Sequence, residues 1–446
     1  MGASVDQKLA RAFELLQAGK TDAAEGAFRD ALAAAPGHPA ALQFLGLCAH
    51  MRGDAKAAVE LLEQACEVAP DYLDAFNNLG NIQLELGNTK RAEACFRRVI
   101  EIEPRFAATH FNLGMLLMRD GRLDDAIVAL DAAARLEPAE ATVHARLGDA
   151  CAKNGEFLHA REAYRRALEI DPGLEHERKK LGKVYFQIID GIDRSVGAPA
   201  EAVRYLDEWL ALEPDNPIAQ HSRAAYGGEG APTRASDAYV KATYDQFAES
   251  FDFVLGHLGY QGHAICAEAL EVALFEGEPE EGAYAVLDAG CGTGALGPLI
   301  APWAGRITGV DLSSQMLERA KARKVYDQLI EAELTAYLAD CEARFDAVVC
   351  ADALIYFGDL DELFGRVARS LAPDGVFVFT VELLERKGDG YSLLRNGRYA
   401  HSRGYLVAVL ERAGLELEAE APIANLRVEF GKDVPGLLIT ARKSGP

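Results

Sequence analysis

The stretch Val286-Leu-Asp-Ala-Gly-Cys-Gly-Thr-Gly-Ala-Leu-Gly297 decides how the second half of this chain is read. An apolar run ends in an acid and breaks into alternating glycines, the pattern of a strand, a tight turn and a helix start. Glycine reaches positive φ without steric cost and lets the backbone come close to a ligand. Amide groups at the start of the following helix then face negative charge. The expectation is a turn that meets an anionic group through bare N–H donors.

Outward from this turn, apolar runs alternate with helical patterns. Strands are expected at 285–289, 306–310, 345–350 and 375–381, and helices from about 294, over 313–324 and over 361–372. A helix at 405–413 and strands at 415–421 and 437–441 complete the series. That rhythm means βαβ units, a largely parallel sheet, and a ligand crevice beyond the carboxyl ends of the strands. Gly292-x-Gly294-x-x-Gly297 alone also satisfies the dinucleotide pattern of nicotinamide-dependent reductases.

The longer string Asp288-x-Gly290-x-Gly292-x-Gly294 resembles the class I S-adenosylmethionine-dependent methyltransferases. Ile307-Thr-Gly-Val-Asp-Leu-Ser-Ser-Gln-Met-Leu317 and Phe345-Asp-Ala-Val-Val-Cys-Ala-Asp-Ala-Leu-Ile-Tyr-Phe357 follow in that family's order. The resemblance implies a Rossmann-like domain that binds S-adenosyl-L-methionine. Asp311 is then expected at the ribose, Leu312 and Met316 on the adenine face, and Glu333 or Leu334 at the adenine edge. Asp288, Gly290, Gly292 and Gly294 are expected at the methionine end, and Asp352 beside the methyl and the ammonium. Glu333 stands where the family often has Asp.

Tyr244-Asp-Gln-Phe-Ala-Glu-Ser-Phe-Asp252, Leu258-Gly-Tyr260, Asn396-Gly-Arg-Tyr-Ala-His-Ser402 and Leu426-Arg-Val-Glu-Phe-Gly431 resemble the methyltransferases that carry tetratricopeptide repeats. Tyr244 and Phe251 are expected as a lid over the methionine end, with plain helix packing as the alternative. Histidine titrates near neutrality, so His401 is the candidate base, with Tyr399, Arg398 and Arg427 beside it. Two arginines grip an anion through bidentate hydrogen bonds. A structural cap on the helix near 403 is the other reading of His401. The absence of Asn-Pro-Pro-Tyr after the fourth strand argues against amino groups of nucleic acid.

The first half is periodic. Prolines fall at 36, 70, 104, 138 and 172, glycines at 19, 53, 87, 121 and 155, and Leu-Gly pairs end at 46, 80, 114 and 148. A period of 34 residues with these small positions resembles the tetratricopeptide repeat, a solenoid of stacked helix pairs. A sixth, longer unit carries an insertion within Lys183 to Ala198. Asn78 and Asn112 occupy equivalent places, and side-chain amides can bond a peptide backbone. This pair resembles the asparagine ladder of O-GlcNAc transferase, with packing within the repeats as the alternative.

The expected organisation is therefore two-domain. An all-α repeat solenoid of about six repeats spans 5–220, a Gly-rich linker spans 221–235, and a class I methyltransferase domain spans 236–446. The net charge of −23 gives no footprint for nucleic acid. Eight cysteines lack C-x-x-C spacing, no apolar run is long enough to span a membrane, and the first residues lack a signal pattern. A cytoplasmic chain without a metal site is expected. Three functions stand open: methyl transfer to an O or N of a small anionic molecule, methylation of a protein or peptide bound by the repeats, or a scaffold without turnover.

Overall fold

The computed structural model describes residues 4–194, 199–227, 231–248, 251–253, 260–275, 282–341, 344–384, 390–429 and 432–444. Its contacts divide the chain into two compact units, 1–190 and 191–446.

In the first unit, helix pairs begin at Val5, Pro39, Leu73, Ala107 and Ala141, each 34 residues after the last, and Glu175–Arg194 follows. The turns inside the pairs use Gly19, Gly53, Gly87, Gly121 and Gly155 at φ between 71° and 84°, a left-handed conformation in which a Cβ is strained. The Leu-Gly glycines have another cause. A Cβ on Gly80 would stand 2.5 Å from the Phe96 ring, and one on Gly114 would stand 2.6 Å from Leu130. Phe28, Leu62, Phe96, Leu130 and Tyr164 recur every 34 residues and are buried. Small residue against large residue thus sets the spacing of each pair.

Asn112 is already engaged within the repeats. Asn112 Nδ2 donates to Asn81 Oδ1 at 3.0 Å and to Asn77 Oδ1 at 3.4 Å. Its amide links neighbouring helices, which is the packing alternative, and Asn77 and Asn81 rather than Asn78 share the cluster.

The boundary also differs from the expected 220. Glu175–Arg194 runs for 20 residues and takes up much of the expected insertion; residues 195–198 lie outside those described. Pro199–Leu212 and Pro217–Gly227 then belong to the second unit. The first part of the expected linker is therefore helix, and it is anchored. His221 is buried, its Nε2 lies 2.8 Å from Gly397 O, and its ring stacks on Tyr239 at 3.8 Å.

The sheet of the second unit contains β1 (Tyr284–Ala289), β2 (Ala304–Asp311), β3 (Gln328–Glu331), β4 (Phe345–Cys350) and β5 (Leu371–Leu383). These lie in the order β3-β2-β1-β4-β5, all parallel. Later come β6 (Tyr391–Leu393), β7 (Tyr399–His401), β8 (Leu415–Glu429) and β9 (Lys432–Lys443). β9 runs antiparallel to β5, and β8 pairs with β9. Glu382 is in register with both Gly436 of β9 and Ala400 of β7. A strand residue has one partner per edge, so the β6–β7 hairpin lies on the β4 side, beyond the last β4 pair at Cys350.

The core forms on both faces of this sheet. Phe345, Phe364, Phe377 and Phe379 fill one face, and Val286, Ile300, Trp303 and Val378 the other. Among the described residues no helix is long and apolar enough to cross a membrane.

Candidate active site

From β1 the chain goes outward to β2 and β3, then returns to β4 on the other edge of β1. Strand order reverses between β1 and β4, where open α/β sheets place their ligands. A cavity of about 960 Å³, part of it open to solvent, lies there. Its wall includes Tyr244, Phe251, Gly290, Gly292, Asp311, Leu312, Met316, Glu333, Leu334 and Asp352. Residues spread over more than a hundred positions of sequence thus meet around one space.

The glycine turn divides its labour. Gly290, Gly292 and Gly294 have φ of 79°, 52° and 74°. A Cβ on Gly290 would stand 2.5 Å from Ala353 Cβ, and one on Gly294 would stand 2.7 Å from the Tyr326 ring. Only at Gly292, of these three, would a Cβ meet nothing within 4 Å. Gly292 therefore leaves room in the cavity, whereas Gly294 makes room for protein. The following helix, Gly297–Ile300, has four residues and is shorter than the expected run from 294.

The expected bare amides are largely occupied. Gly290 and Cys291 N–H donate to Val310 O at 2.8 and 3.0 Å, and Gly294 N–H donates to Cys291 O at 2.8 Å. Gly292 N–H donates to Asp311 Oδ2 at 2.9 Å. The turn is tied to the end of β2 by three of these bonds and closed on itself by the fourth, so an anion has fewer donors here than the glycine pattern implies.

Asp311 ends β2 on the cavity wall, and its Oδ1 accepts from Ser313 N–H at 2.9 Å. Burial raises its pKa above the ordinary value, against the pull of these backbone donors. Ser313 caps the helix Ser314–Ala322 through Met316 N–H, which seats Met316 at the cavity. Asp288 is elsewhere. It is 2% exposed, lies outside the cavity lining, and accepts from Tyr326 OH at 2.6 Å. Burial drives its pKa up to about 7, with Tyr326 opposing and Asp311 adding. Its expected place at the methionine end is corrected: it anchors the phenol that supports the turn.

Asp352 follows β4 at φ 60°. Its N–H donates to Thr380 Oγ1 at 2.9 Å and its Oδ1 accepts from Arg427 Nη1 at 3.0 Å. The other arm of Arg427 is bonded to Glu382. Arg427 is 3% exposed, so the expected grip on a substrate anion is replaced by a buried ion pair with two carboxylates.

Glu333 caps the helix Leu334–Ala339, its Oε2 accepting from Ala336 N–H at 2.7 Å. Its Oε1 is buried without a hydrogen-bond partner, with Arg234 Nη1 at 3.8 Å. Over the other side, the helix Asp237–Phe247 and residues 251–253 are pinned to the strand ends. Asp245 accepts from Ser313 Oγ at 2.6 Å, Asp252 from Thr293 Oγ1 at 2.5 Å and from Arg323 Nη2 at 2.8 Å. The hydroxyls of Tyr244 and Tyr356 are 2.7 Å apart, and the Tyr244 ring meets Phe251 edge to face. Burial raises the Tyr244 phenol to about 12, so it stays protonated. Leu258 and Gly259 lie outside the described residues; Tyr260 is on the wall.

His401 is corrected as a base. It is 0% exposed, its Nε2 lies 3.1 Å from Gly358 O, and burial lowers its pKa to about 4. Such an imidazole stays neutral near pH 7 and does not reach the cavity. Tyr399 is buried as well and donates to Pro232 O at 2.6 Å. Arg398 is half-buried, and its charge acts on Tyr239, Tyr244 and Tyr356. Of the four expected catalytic residues, Arg398 bears electrostatically on Tyr244 and Tyr356 of the cavity wall, and Arg427 reaches the wall through its ion pair with Asp352. Sequence reading gave no role to Tyr356, Arg234, Thr293 or Arg323. Tyr356 stood inside a quoted motif, but nothing in the pattern pairs it with Tyr244.

A parallel sheet of this order, with an acid closing β2 and another after β4 around one cavity, defines the class I methyltransferase fold. Residues 287–379 match the family described as a methyltransferase domain, and residues 2–202 match the Cilia and flagella-associated protein 70 C-terminal domain. A Bacillus subtilis protein, YqeM, named as a methyltransferase, is 33% identical over 148 residues, 31% of this chain and 55% of that one. The ubiquinone biosynthesis O-methyltransferase of Thiobacillus denitrificans is 31% identical over 184 residues, 36% of this chain and 78% of that one. The malonyl-[acyl-carrier protein] O-methyltransferase of Enterobacter lignolyticus is 31% identical over 121 residues, 27% of this chain and 48% of that one. The chain spans about half the length of YqeM and of the malonyl enzyme. MamA from Desulfovibrio magneticus RS-1 is 21% identical over 39% of this chain and 98% of that one, with a TM-score of 0.36. The chain belongs to the class I S-adenosylmethionine-dependent methyltransferases, with tetratricopeptide repeats in its first half.

The donor set fits such a cofactor. Gly292 leaves open space, Asp311 offers carboxylate oxygens, Glu333 Oε1 accepts no hydrogen bond, and Leu312, Met316 and Leu334 are apolar. Among the described residues no cluster of His, Cys, Asp or Glu is placed to hold a metal.

Proposed function

We propose that this protein binds S-adenosylmethionine and transfers its methyl, by in-line displacement, to an oxygen or nitrogen of a small anionic molecule. The observation that carries the reading is the shared cavity of Gly292, Asp311, Met316, Glu333 and Asp352. Asp311 would accept from the ribose hydroxyls, Glu333 Oε1 from the adenine amino group, and Asp352 from the methionine ammonium. Leu312, Met316 and Leu334 would cover the adenine.

When bound, the cofactor supplies a methyl already activated by the positive sulfur, so the protein's task is alignment. Holding the acceptor in line contributes about 7 to 11 kcal/mol. Tyr244 and Phe251 exclude water above the site. The charge of Arg398 beside Tyr244 and Tyr356 supports an anionic acceptor, and two relatives are named for O-methylation. No side chain is assigned as base. The repeats serve to recruit a protein or peptide partner.

The test is purified protein incubated with methyl-labelled S-adenosylmethionine and cell extract, then fractionated. Label in small molecules supports this reading. Label in protein overturns the small acceptor, and no label in either overturns methyl transfer.

A further inference from the structure

Resting on the S-adenosylmethionine reading, we propose that the Tyr260 hydroxyl is the hydrogen-bond donor for the carboxylate of the ligand's amino-acid end, beside Asp352. Tyr260 lines the cavity, and its hydroxyl oxygen is buried without a hydrogen-bond partner. A buried hydroxyl left without a partner is destabilising, and a site that must receive an acceptor explains why it persists. Its position depends on Gly262, since a Cβ there would overlap the phenol oxygen.

The neighbours narrow the guest. Asp352 is the charged group acting most strongly on Tyr260, and Arg427 acts in the opposite sense. An α-amino acid carries its ammonium and carboxylate on one carbon, so it needs an acceptor and a donor side by side. Asp352 and Tyr260 both line the cavity and can supply that pair.

Other donors nearby are already committed. The N–H groups of Gly290 and Cys291 bond Val310 O, that of Gly292 bonds Asp311, and that of Gly294 bonds Cys291 O. Arg427 pairs with Asp352 and Glu382, and Arg323 with Thr293 O and Asp252. His263 packs edge to face on Tyr260 at 5.0 Å and is held neutral by burial. The Tyr260 O–H is committed to none of these groups.

The experiment is calorimetric titration of wild type and Tyr260→Phe with two probes. S-adenosylhomocysteine keeps the amino-acid end; 5′-methylthioadenosine lacks it. The substitution is expected to weaken S-adenosylhomocysteine about tenfold and to leave methylthioadenosine unchanged. Unliganded Tyr260→Phe is expected to melt at or above the wild-type temperature, because it removes an unpaired buried hydroxyl. Gly262→Ala, which displaces the phenol, is expected to show the same selective loss. Equal weakening of both probes, or of neither, overturns the assignment. Failure of the wild type to bind either probe overturns the S-adenosylmethionine reading itself.

Discussion

Arg427 Nη1 lies 3.0 Å from Asp352 Oδ1, and the same guanidinium holds Glu382 on its other arm. One buried cation thus ties the loop after β4 to the end of β5 and to β8. Removing it leaves one buried carboxylate, Glu382, and one partly buried, Asp352, without their cation, a change that costs about 3 to 5 kcal/mol. Arg427→Met is expected to lose that much in urea denaturation, and Arg427→Lys less. A loss below about 1 kcal/mol, the range of exposed pairs, would show that the pair is not buried in solution.

The glycines of the turn separate binding from folding. Gly292→Ala meets only open space, so its stability cost is the positive-φ strain of about 1 to 2 kcal/mol, while its methyl fills cavity space. Gly294→Ala adds overlap with Tyr326 and Ala320, and overpacking contributes a further 1 to 3 kcal/mol or so. Thermal melts and S-adenosylhomocysteine titration of both variants check this. Gly292→Ala is expected to lose affinity out of proportion to stability.

Asp288 sets a pH dependence. Its folded pKa, about 7, stands above the ordinary carboxylate value of 3.8, so the folded state holds a proton that the unfolded state has released. Its contribution is full below about pH 4 and is lost as pH rises through 7. Asp288→Asn cannot titrate. Across that window the wild type is expected to lose of order a few kcal/mol relative to the variant, read from urea midpoints at pH 5 and pH 8.

In the repeats, Phe96 faces Gly80 and is 0% exposed. Phe96→Ala is expected to cost about 3 to 5 kcal/mol, and Gly80→Val to destabilise through overlap with the same ring. Guanidinium titration followed by circular dichroism measures both.

What was legible in sequence was what local pattern encodes. A 34-residue period needs no tertiary knowledge, because each helix pair buries the same small and large positions. Strand ends carrying Asp311 and Asp352 were visible because apolar runs stop at acids. β3 escaped notice: it has four residues, Gln328–Glu331, half-buried or exposed on the sheet's edge. The partners of Asp288, Asp352 and Arg427 lie 28 to 75 residues away, and no periodicity reports such pairings. His401 misled because its chemistry suits catalysis while its burial, set by the β6–β7 hairpin, does not. The turn's amides misled likewise, since a glycine pattern shows where N–H groups face but not what they already bond.

The central claim is that the cavity between β1 and β4 holds S-adenosylmethionine through Asp311. Calorimetric titration of S-adenosylhomocysteine into wild type and Asp311→Ala tests it most directly, with thermal melts confirming that both are folded. Saturable one-to-one binding by the wild type and at least tenfold weaker binding by the variant is the predicted result. Absence of wild-type binding, or equal affinity in a folded Asp311→Ala, would contradict the account.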